Sequence, residues 1–522
     1  MNVARHFDEE HLMRDDFIME SAAEGLLASL HGVLVLREGK TRTYYRTTLS
    51  HSLALQCTIL VTTIEMMFRY CSLETLSEHV PLFRKFFLPN DLPRLLAMLT
   101  AWEGGDNAIR LLAISNTINI MRRVGPLCPE AAETIIVALL SVLTTYLGSP
   151  ELHLDATNAI AYLFDRREGM AERKRLIELI QPDSSLIIST LSTAAMSSDK
   201  PAAAEEVLSA IFNFAVNSHA FRTKMAKRRC TILAITKHLS SENVESRKIA
   251  LNICKCLFND HIQSTCDPAR VDRNCELLLS RLMESARNER DTMLQLYAIS
   301  LLGDAVQNGP FMPEMVDSIL MTLRNLVESD EPDDIVVEAA ATYTKAVTSL
   351  PIVCVSKEML MDMTDFTTLP FASARRDAIS AIHYLVTDDD GIAEIILGET
   401  QLLENFSIII SYGSDNDCVD SLNVVRYCAG NKQHHPAIFQ SRVIESLVDQ
   451  VTKDEITSQA AFFSSVEAIL SLLSNSESVR YFLPYPDLLP CLVNLSHETA
   501  LDEELQESLV SAILCLSSAM QE

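Results

Sequence analysis

Five asparagines stand at similar places in apolar, helix-like stretches of the chain: Asn116, Asn158, Asn213, Asn252 and Asn423. They lie 42, 55, 39 and 171 residues apart, so the last interval spans about four of the shorter ones. An amide side chain offers both a donor and an acceptor, and a row of amides therefore matches the successive peptide units of an extended chain. We treat these residues as candidate peptide-binding residues. In the alternative interpretation, each amide satisfies a carbonyl of a neighbouring loop.

A second candidate is a basic segment in a chain that is otherwise acidic. The sequence has 43 Lys and Arg against 70 Asp and Glu, a formal charge of −27, whereas residues 160–260 hold 15 basic residues against 11 acids. The predicted basic patch consists of Arg173, Lys174, Arg175, Arg222, Lys224, Lys227, Arg228 and Arg229. Such a patch suits an acidic or phosphorylated segment of a partner. The alternative is a solvated face without a ligand.

Other residue types that could bind a metal or catalyse a reaction form no recognisable site in the sequence. The acidic charge and the scarcity of aromatic residues in the basic patch argue against nucleic acid as a partner. Cys254, Cys256, His261, Cys266 and Cys275 lack the paired spacing of a zinc site, and we interpret the thiols as buried. Glycine-rich phosphate or dinucleotide loops and the Gly-x-Ser-x-Gly elbow do not occur. The sequence therefore predicts a protein that is not an enzyme and has no metal or cofactor.

Helices must position the candidate residues, because apolar residues recur at the helical period through most of the chain. Val207, Ala210, Ile211 and Phe214 are one example. Gly, Pro and Asp residues interrupt this pattern, and the strongest amphipathic helix of each interval recurs at a mean step of about 44 residues. A period of roughly 40–47 residues is typical of helical solenoids, whose units stack to share one core. An irregular all-helical globule is the alternative.

Several stretches resemble armadillo repeats in detail. Residues 207–217 with Phe221 and Arg222, and residues 420–431 with Ile438 and Phe439, resemble a third armadillo helix, its exit loop and the next repeat. The resemblance implies an all-α, right-handed superhelical solenoid of about ten to eleven armadillo-type repeats. It also implies that the asparagines hydrogen-bond the backbone of an extended peptide.

One of these stretches resembles a more specific family. Residues 112–116 resemble the Trp-Ala-Leu-Ser-Asn stretch of importin-alpha third helices, with Leu in place of Trp. The single tryptophan of the chain, Trp102, and its acidic N-terminus depart from that family. A nuclear-import adaptor is therefore not the prediction.

The predicted organisation has two parts. Residues 1–48 form an N-terminal segment or cap, and residues 49–522 form the armadillo-like solenoid. The sequence lacks the basic and apolar start of a secretory signal and has no charge-free stretch of about 20 apolar residues. Its 13 cysteines lie scattered in apolar runs, which favours a reducing compartment. We expect a soluble protein of the cytoplasm or the nucleus, without a membrane span; no oligomeric state is predicted.

These observations together predict a non-enzymatic scaffold or adaptor. Its concave armadillo surface would present the asparagines to an extended peptide segment of a partner protein. The alternative is a chaperone-linked or complex-regulatory subunit that binds a folded partner through the basic patch at about residues 166–255.

Overall fold

The computed structural model describes a large part of the C-terminal four-fifths of the chain. The described residues are 114–115, 136, 139–140, 150–165, 177–178, 180–197, 201–259, 268–308, 313–399, 401–453, 458–497 and 503–521. The predicted N-terminal segment or cap, Asn116 and the basic run at 173–175 lie outside them. Within the described residues every regular element is a helix and none is a strand.

The first compact unit extends to Arg281. Its described helices are α1 (Pro150–Asp165), α2 (Ser184–Ser197), α3 (Pro201–Asn217), α4 (His219–Lys227), α5 (Arg229–Leu239), α6 (Val244–Asn259) and α7 (Pro268–Asn288), the last of which continues past the division. Helix α3 packs between α1 and α6, and α2 packs on α5. Phe214 and Phe221 stack at a centroid distance of 4.9 Å where α3 leads into α4.

The second compact unit begins at Leu282. Its helices are α8 (Thr292–Asn308), α9 (Pro313–Val327), α10 (Asp333–Ser349), α11 (Lys357–Phe366), α12 (Ala372–Asp388), α13 (Asp390–Glu399), α14 (Leu402–Tyr412), α15 (Asp415–Gly430), α16 (His435–Gln440), α17 (Val443–Thr452), α18 (Gln459–Leu473), α19 (Leu488–Ser496) and α20 (Glu503–Gln521). Four 3-10 turns complete the described helical structure: Gln181–Asp183, Ile352–Cys354, Lys432–His434 and Ser476–Tyr481.

The helices begin where the sequence supplies a start signal. Serines cap four of them, because the Oγ atoms of Ser218, Ser356, Ser414 and Ser458 accept a hydrogen bond from the backbone N–H three residues later. Other helices begin at a proline, as at Pro201. Proline lacks a backbone N–H, which costs nothing in the first turn because N–H groups there have no intrahelical acceptor. The breakers of the sequence therefore mark the ends of real helices.

The helices of each unit form two rows. In the second unit α8, α10, α12, α15, α18 and α20 pack successively on one another, and in the first unit α3 packs between α1 and α6; we call each set the long-helix row of its unit. The short-helix row comprises α9, α11, α14 and α17 in the second unit, and α2 and α5 in the first. Close approach within the long-helix row uses a glycine: a Cβ on Gly303 of α8 would lie 2.8 Å from the Thr342 Cγ2 atom of α10.

Side-chain hydrogen bonds join successive helices of each row at a constant sequence step. The partners lie 39 to 41 residues apart. They are Ser192 with Thr231, Lys345 with Asp304, Ser407 with Ser446, and Arg426 with Glu467. One repeat therefore occupies about 40 residues, and the predicted all-α solenoid is confirmed. The handedness and the number of repeats stay predictions.

A buried ion pair fixes the contact between α12 and α15. Arg375 donates from Nε and Nη2 to Asp417 Oδ2, at 3.2 and 2.7 Å, and from Nη1 to the Leu369 carbonyl at 2.9 Å. The Asp417 side chain is completely buried, and that of Arg375 is 21% exposed. The geometry is that of a carboxylate whose charge is matched inside the protein.

Because each helix packs on its nearest neighbours, we expect a destabilising substitution to affect the adjacent helices and to leave distant ones folded. Ile469 of α18 is completely buried, and Leu251 of α6 is 2% exposed. We expect Ile469→Asp to abolish amide protection in α15, α17 and α18 while α3 and α6 keep theirs, because a buried unpaired charge costs several kcal/mol only where it lies. Hydrogen exchange followed by mass spectrometry measures this, and Leu251→Asp is the reciprocal variant. Equal loss of protection along the whole chain would contradict the solenoid.

Breaking the buried ion pair has a larger effect than breaking an exposed one. We expect Arg375→Met to lower the free energy of unfolding by about 3–5 kcal/mol, because Asp417 is left buried without its counter-charge. The matched control is Arg426→Met, which breaks the exposed pair with Glu467 and costs about 0–1 kcal/mol. Urea denaturation of both variants provides the measurement. Equal effects would show that the burial of Asp417 contributes nothing.

Candidate functional site

The long helices share one burial pattern, which places an accessible residue at a corresponding point of each helix. In eight of these helices one residue that is less buried lies between two buried residues on its N-terminal side and two on its C-terminal side. We call the less buried residue the central position. The central positions are Asn158, Ser209, Asn252, Ser300, Ala341, Ser380, Asn423 and Glu467. Three of the predicted asparagines therefore share a register, and Asn213 lies one turn after the central Ser209 of α3. Asn116 lies outside the described residues.

The described asparagines have different surroundings. Asn423 Oδ1 accepts a hydrogen bond from Ser464 Oγ of the next long helix at 3.4 Å. Asn158 Oδ1 is buried and has no hydrogen-bond partner within the described part of the chain. Asn213 and Asn252 are half-buried, on α3 and α6. Their role in binding a peptide stays a prediction, to which the structure adds the shared register of Asn158, Asn252 and Asn423.

The described members of the basic patch divide into two groups. Arg222 Nη1 donates to the carbonyls of Ala215 and Val216, at 2.6 and 3.1 Å, and so caps the C-terminal end of α3. Lys224 Nζ donates to Ser184 Oγ and, at 3.4 Å, to the Gln181 carbonyl.

The other three residues of the patch are located differently. Lys227 and Arg229 are exposed, and Arg228 is half-buried. Two of the five described cations thus hold neighbouring backbone segments in place. A ligand for the patch stays a prediction.

A groove lies between α10 and α12 of the second unit. Its volume is about 530 Å³, and its lining residues are Ala341, Thr344, Lys345, Thr348, Asp377, Ser380, Ala381 and Tyr384. Both central positions, Ala341 and Ser380, belong to it, and their small side chains leave the space open. Ser380 and Asp377 are exposed, and the Tyr384 side chain is 52% exposed, so solvent reaches the groove.

Carboxylates stand at the same register along three successive long helices. Glu338, Asp377 and Asp420 each lie three residues before the central position of α10, α12 and α15, and we call them the carboxylate column. Burial raises the pKa of all three. At Glu338 the charge of Lys345 lowers the pKa, whereas the charges of Asp377 and Asp304 raise it further. At Asp377 and Asp420 the charge of Arg376 lowers the pKa. Asp417 adds to the rise at Asp420, and His383 opposes it.

Lys345 and two tyrosines stand four residues after the central positions of the same helices. Lys345 Nζ lies 3.2 Å from Asp304 Oδ1 of α8. Tyr384 occupies the equivalent place on α12 and Tyr427 on α15, where 40% of the Tyr427 side chain is exposed and its hydroxyl donates to the Thr387 carbonyl at 3.3 Å. Carboxylate and tyrosine therefore flank the central position on α12 and on α15. This arrangement can bind a cation through charge and through an aromatic face.

Sequence reasoning missed the carboxylate column and the tyrosines. The signal was present, because Asp377 and Asp420 lie 43 residues apart, as do Tyr384 and Tyr427. Exposed acids occur on most helix surfaces, so the repeat carries information only after the helices have been placed in register.

Of the cysteines considered as zinc ligands in the sequence, Cys254 is buried, as predicted, and Cys256 is half-buried. Cys418 and Cys428, elsewhere in the chain, are buried too. Burial raises the pKa of the Cys428 thiol to about 12 and that of Cys418 to about 11, which keeps both protonated. Among the described residues no three His, Cys, Asp or Glu side chains are placed to hold a metal ion. In that same part of the chain, each helix is too short or too polar to cross a bilayer.

Comparisons with known proteins give structural neighbours only. No family model matches the chain, and no curated protein matches it. A crystallised engineered protein has 14% identity and a TM-score of 0.45, with 81% of this chain and 98% of that chain covered. Computationally designed armadillo repeat proteins for modular peptide recognition have 16% identity and a TM-score of 0.35, with 45% of this chain and 99% of theirs covered.

A third neighbour is a designed armadillo repeat protein in complex with the peptide (KR)4. It has 16% identity and a TM-score of 0.34, and the match covers 46% of this chain and 99% of that chain. At these identities the likeness concerns helical repeat architecture and says nothing of what this chain binds.

The carboxylate column destabilises the folded state at neutral pH. Because the pKa values are raised, the folded chain binds more protons than the unfolded chain, and stability falls as pH rises from the ordinary carboxyl pKa to the raised one. We expect the double variant Glu338→Gln, Asp377→Asn to unfold about 1–3 °C higher than the wild type at pH 7 and at the same temperature near pH 4. Thermal unfolding at both pH values measures the difference. Asp317→Asn, an exposed carboxylate of α9, is the control, and a lower midpoint for the double variant would contradict the prediction.

Proposed function

We propose that the chain is a protein-binding repeat scaffold whose long-helix row in the second unit binds an extended segment of a partner protein. The observation that carries this proposal is the groove between α10 and α12, which opens at the central positions Ala341 and Ser380. The role is one of binding without catalysis.

The dimensions of the row suit an extended chain. Neighbouring packed helices lie about 8–10 Å apart, and an extended chain rises about 3.3 Å per residue, so each helix meets about three residues of the segment. The four spacings between the five helices with a central position, from α8 to α18, add up to about 32–40 Å, which an extended chain of about ten to twelve residues spans. Ser380 and Asn423 offer a hydroxyl and an amide group along this path, and such groups pair with peptide N–H and C=O.

The asparagines of the first unit fit the same role on that unit's own long helices. Asn158, Asn213 and Asn252 supply the amides there, and Asn116 completes the predicted set. The alternative of a folded partner bound through the basic patch is less favoured, because Arg222 and Lys224 already bind neighbouring protein atoms. Replacing the four asparagines by alanine is the corresponding test in the first unit.

Filling the groove should abolish binding in the second unit. We expect Ser380→Trp to weaken binding of a twelve-residue extended peptide at least about tenfold, because an indole placed at the central position occupies the path of the chain. Peptides selected from a displayed random library on the wild-type chain serve as probes, and fluorescence polarisation gives the affinities.

The control is Ser318→Trp, an equally drastic substitution at an exposed serine of α9 in the short-helix row. It should leave both the helix content and the affinities unchanged. Selected peptides that bind the wild type and Ser380→Trp equally would exclude the long-helix row of the second unit as the site.

A further inference from the structure

We propose that the groove between α10 and α12 is a subsite for a lysine or arginine side chain of the bound segment, held by Asp377 and the ring of Tyr384, which line the groove, with the charge of Glu338 nearby on α10. The inference rests on the proposed function and adds the chemistry of the partner: a segment that is basic where it crosses α12.

The charges around the groove leave an excess of negative charge. Its one lining cation, Lys345, is 3.2 Å from Asp304 of α8. The surrounding charged groups are Asp304, Glu338, Asp377 and Asp420 against Lys345 and Arg376, with His383 beside Asp420. Four carboxylates thus accompany two permanent cations, and the lining cation Lys345 is paired with Asp304, so negative charge remains near the groove for an incoming cation.

The surroundings of the carboxylates strengthen the attraction for a cation. Glu338 is half-buried on α10, and Asp377 and Asp304 both act on it unfavourably. A cation between Glu338 and Asp377 would replace this repulsion by two attractions in a partly desolvated place, where charge pairs are worth more than in water.

The shape of the groove suits a long side chain with a charged end. About 530 Å³ is far more than one water molecule needs, and Ala341, Ala381 and the Thr344 side chain offer apolar surface for methylene groups. Tyr384, half exposed at the groove, presents an aromatic ring to the charged end. A lysine or arginine matches both features, whereas a carboxylate side chain would meet like charges.

The same pair of residues recurs on the next helix. Asp420 and Tyr427 hold the positions on α15 that Asp377 and Tyr384 hold on α12, seven residues apart in each case. Repetition of a carboxylate and an exposed ring at adjacent steps of the row is consistent with a segment that carries more than one basic residue.

Three dodecapeptides with one labelled terminus test the inference on the full chain. Their backgrounds of Ser, Gln and Thr are identical, and alternate positions carry Lys and Arg, carry Glu, or stay neutral. We expect the basic peptide to bind at least about tenfold more tightly than the neutral one at near-physiological salt, and the acidic one to bind most weakly. Asp377→Asn should reduce the affinity for the basic peptide about fivefold or more and leave that for the neutral peptide unchanged.

Two further variants separate the subsite from general attraction to an acidic protein. Asp317→Asn on α9 removes one exposed charge elsewhere and should leave the affinity for the basic peptide unchanged, and Ser380→Trp should weaken binding of every peptide to the second unit at least about tenfold. Equal loss from Asp377→Asn and Asp317→Asn would overturn the subsite in favour of diffuse charge. Equal affinities for basic and neutral peptides, both lost in Ser380→Trp, would overturn the subsite and leave the proposed function standing. Binding insensitive to Ser380→Trp would overturn both.

Discussion

Packing of each long helix between two neighbours is the constraint on which the rest of the structure depends. A helix flanked by α10 and α15, as α12 is, must bury residues on both flanks as well as against its own short helix. Two buried residues on either side of one accessible residue are the result, repeated from α1 to α18. Accessible side chains are thereby concentrated on one face of each helix, around the central position, and these faces follow one another within each unit.

The position of that stripe has an energetic consequence. Side chains beside it are near enough to the core to lose part of their hydration, and near enough to the next helix to feel its charges. Glu338 illustrates both, since burial and the neighbouring carboxyls act on it in the same direction. Arg375 and Asp417 show the opposite arrangement, in which a buried charge is matched and holds two helices together. The protein thus contains a buried matched pair that stabilises the stack and half-buried carboxyls beside the groove whose pKa is raised.

Apolar periodicity predicted the architecture well because it is a direct record of burial. The mean interval of about 44 residues in the sequence is close to the 39 to 42 residues that separate hydrogen-bonded partners on successive helices. Register was harder to predict. Asn213 looks like Asn158 and Asn252 in its local sequence, yet it lies one turn after the central position, because apolar residues recur at every turn and do not determine which turn holds that position.

Charged residues were the least predictable part. Counting cations placed Arg222 and Lys224 in one patch with Arg229, but the count does not show where a long side chain ends, and two of these end on neighbouring protein atoms. The groove between α10 and α12 depends on two small residues that face each other from different repeats. No local sequence pattern indicates that Ala341 and Ser380 line the same groove, because the groove forms only when the helices are packed.

The intervals between central positions differ, at 51, 43, 41, 39, 43 and 44 residues within the two units, while the place of each central position in its burial pattern is constant. The differences between these intervals therefore arise outside the eight helices with a central position, each of which has 15 to 17 residues. One residue added within a long helix would turn everything after it by about 100° and bring a buried flank to the surface. Length changes that accumulate in related chains should accordingly fall in the connections and leave the line of accessible residues in phase.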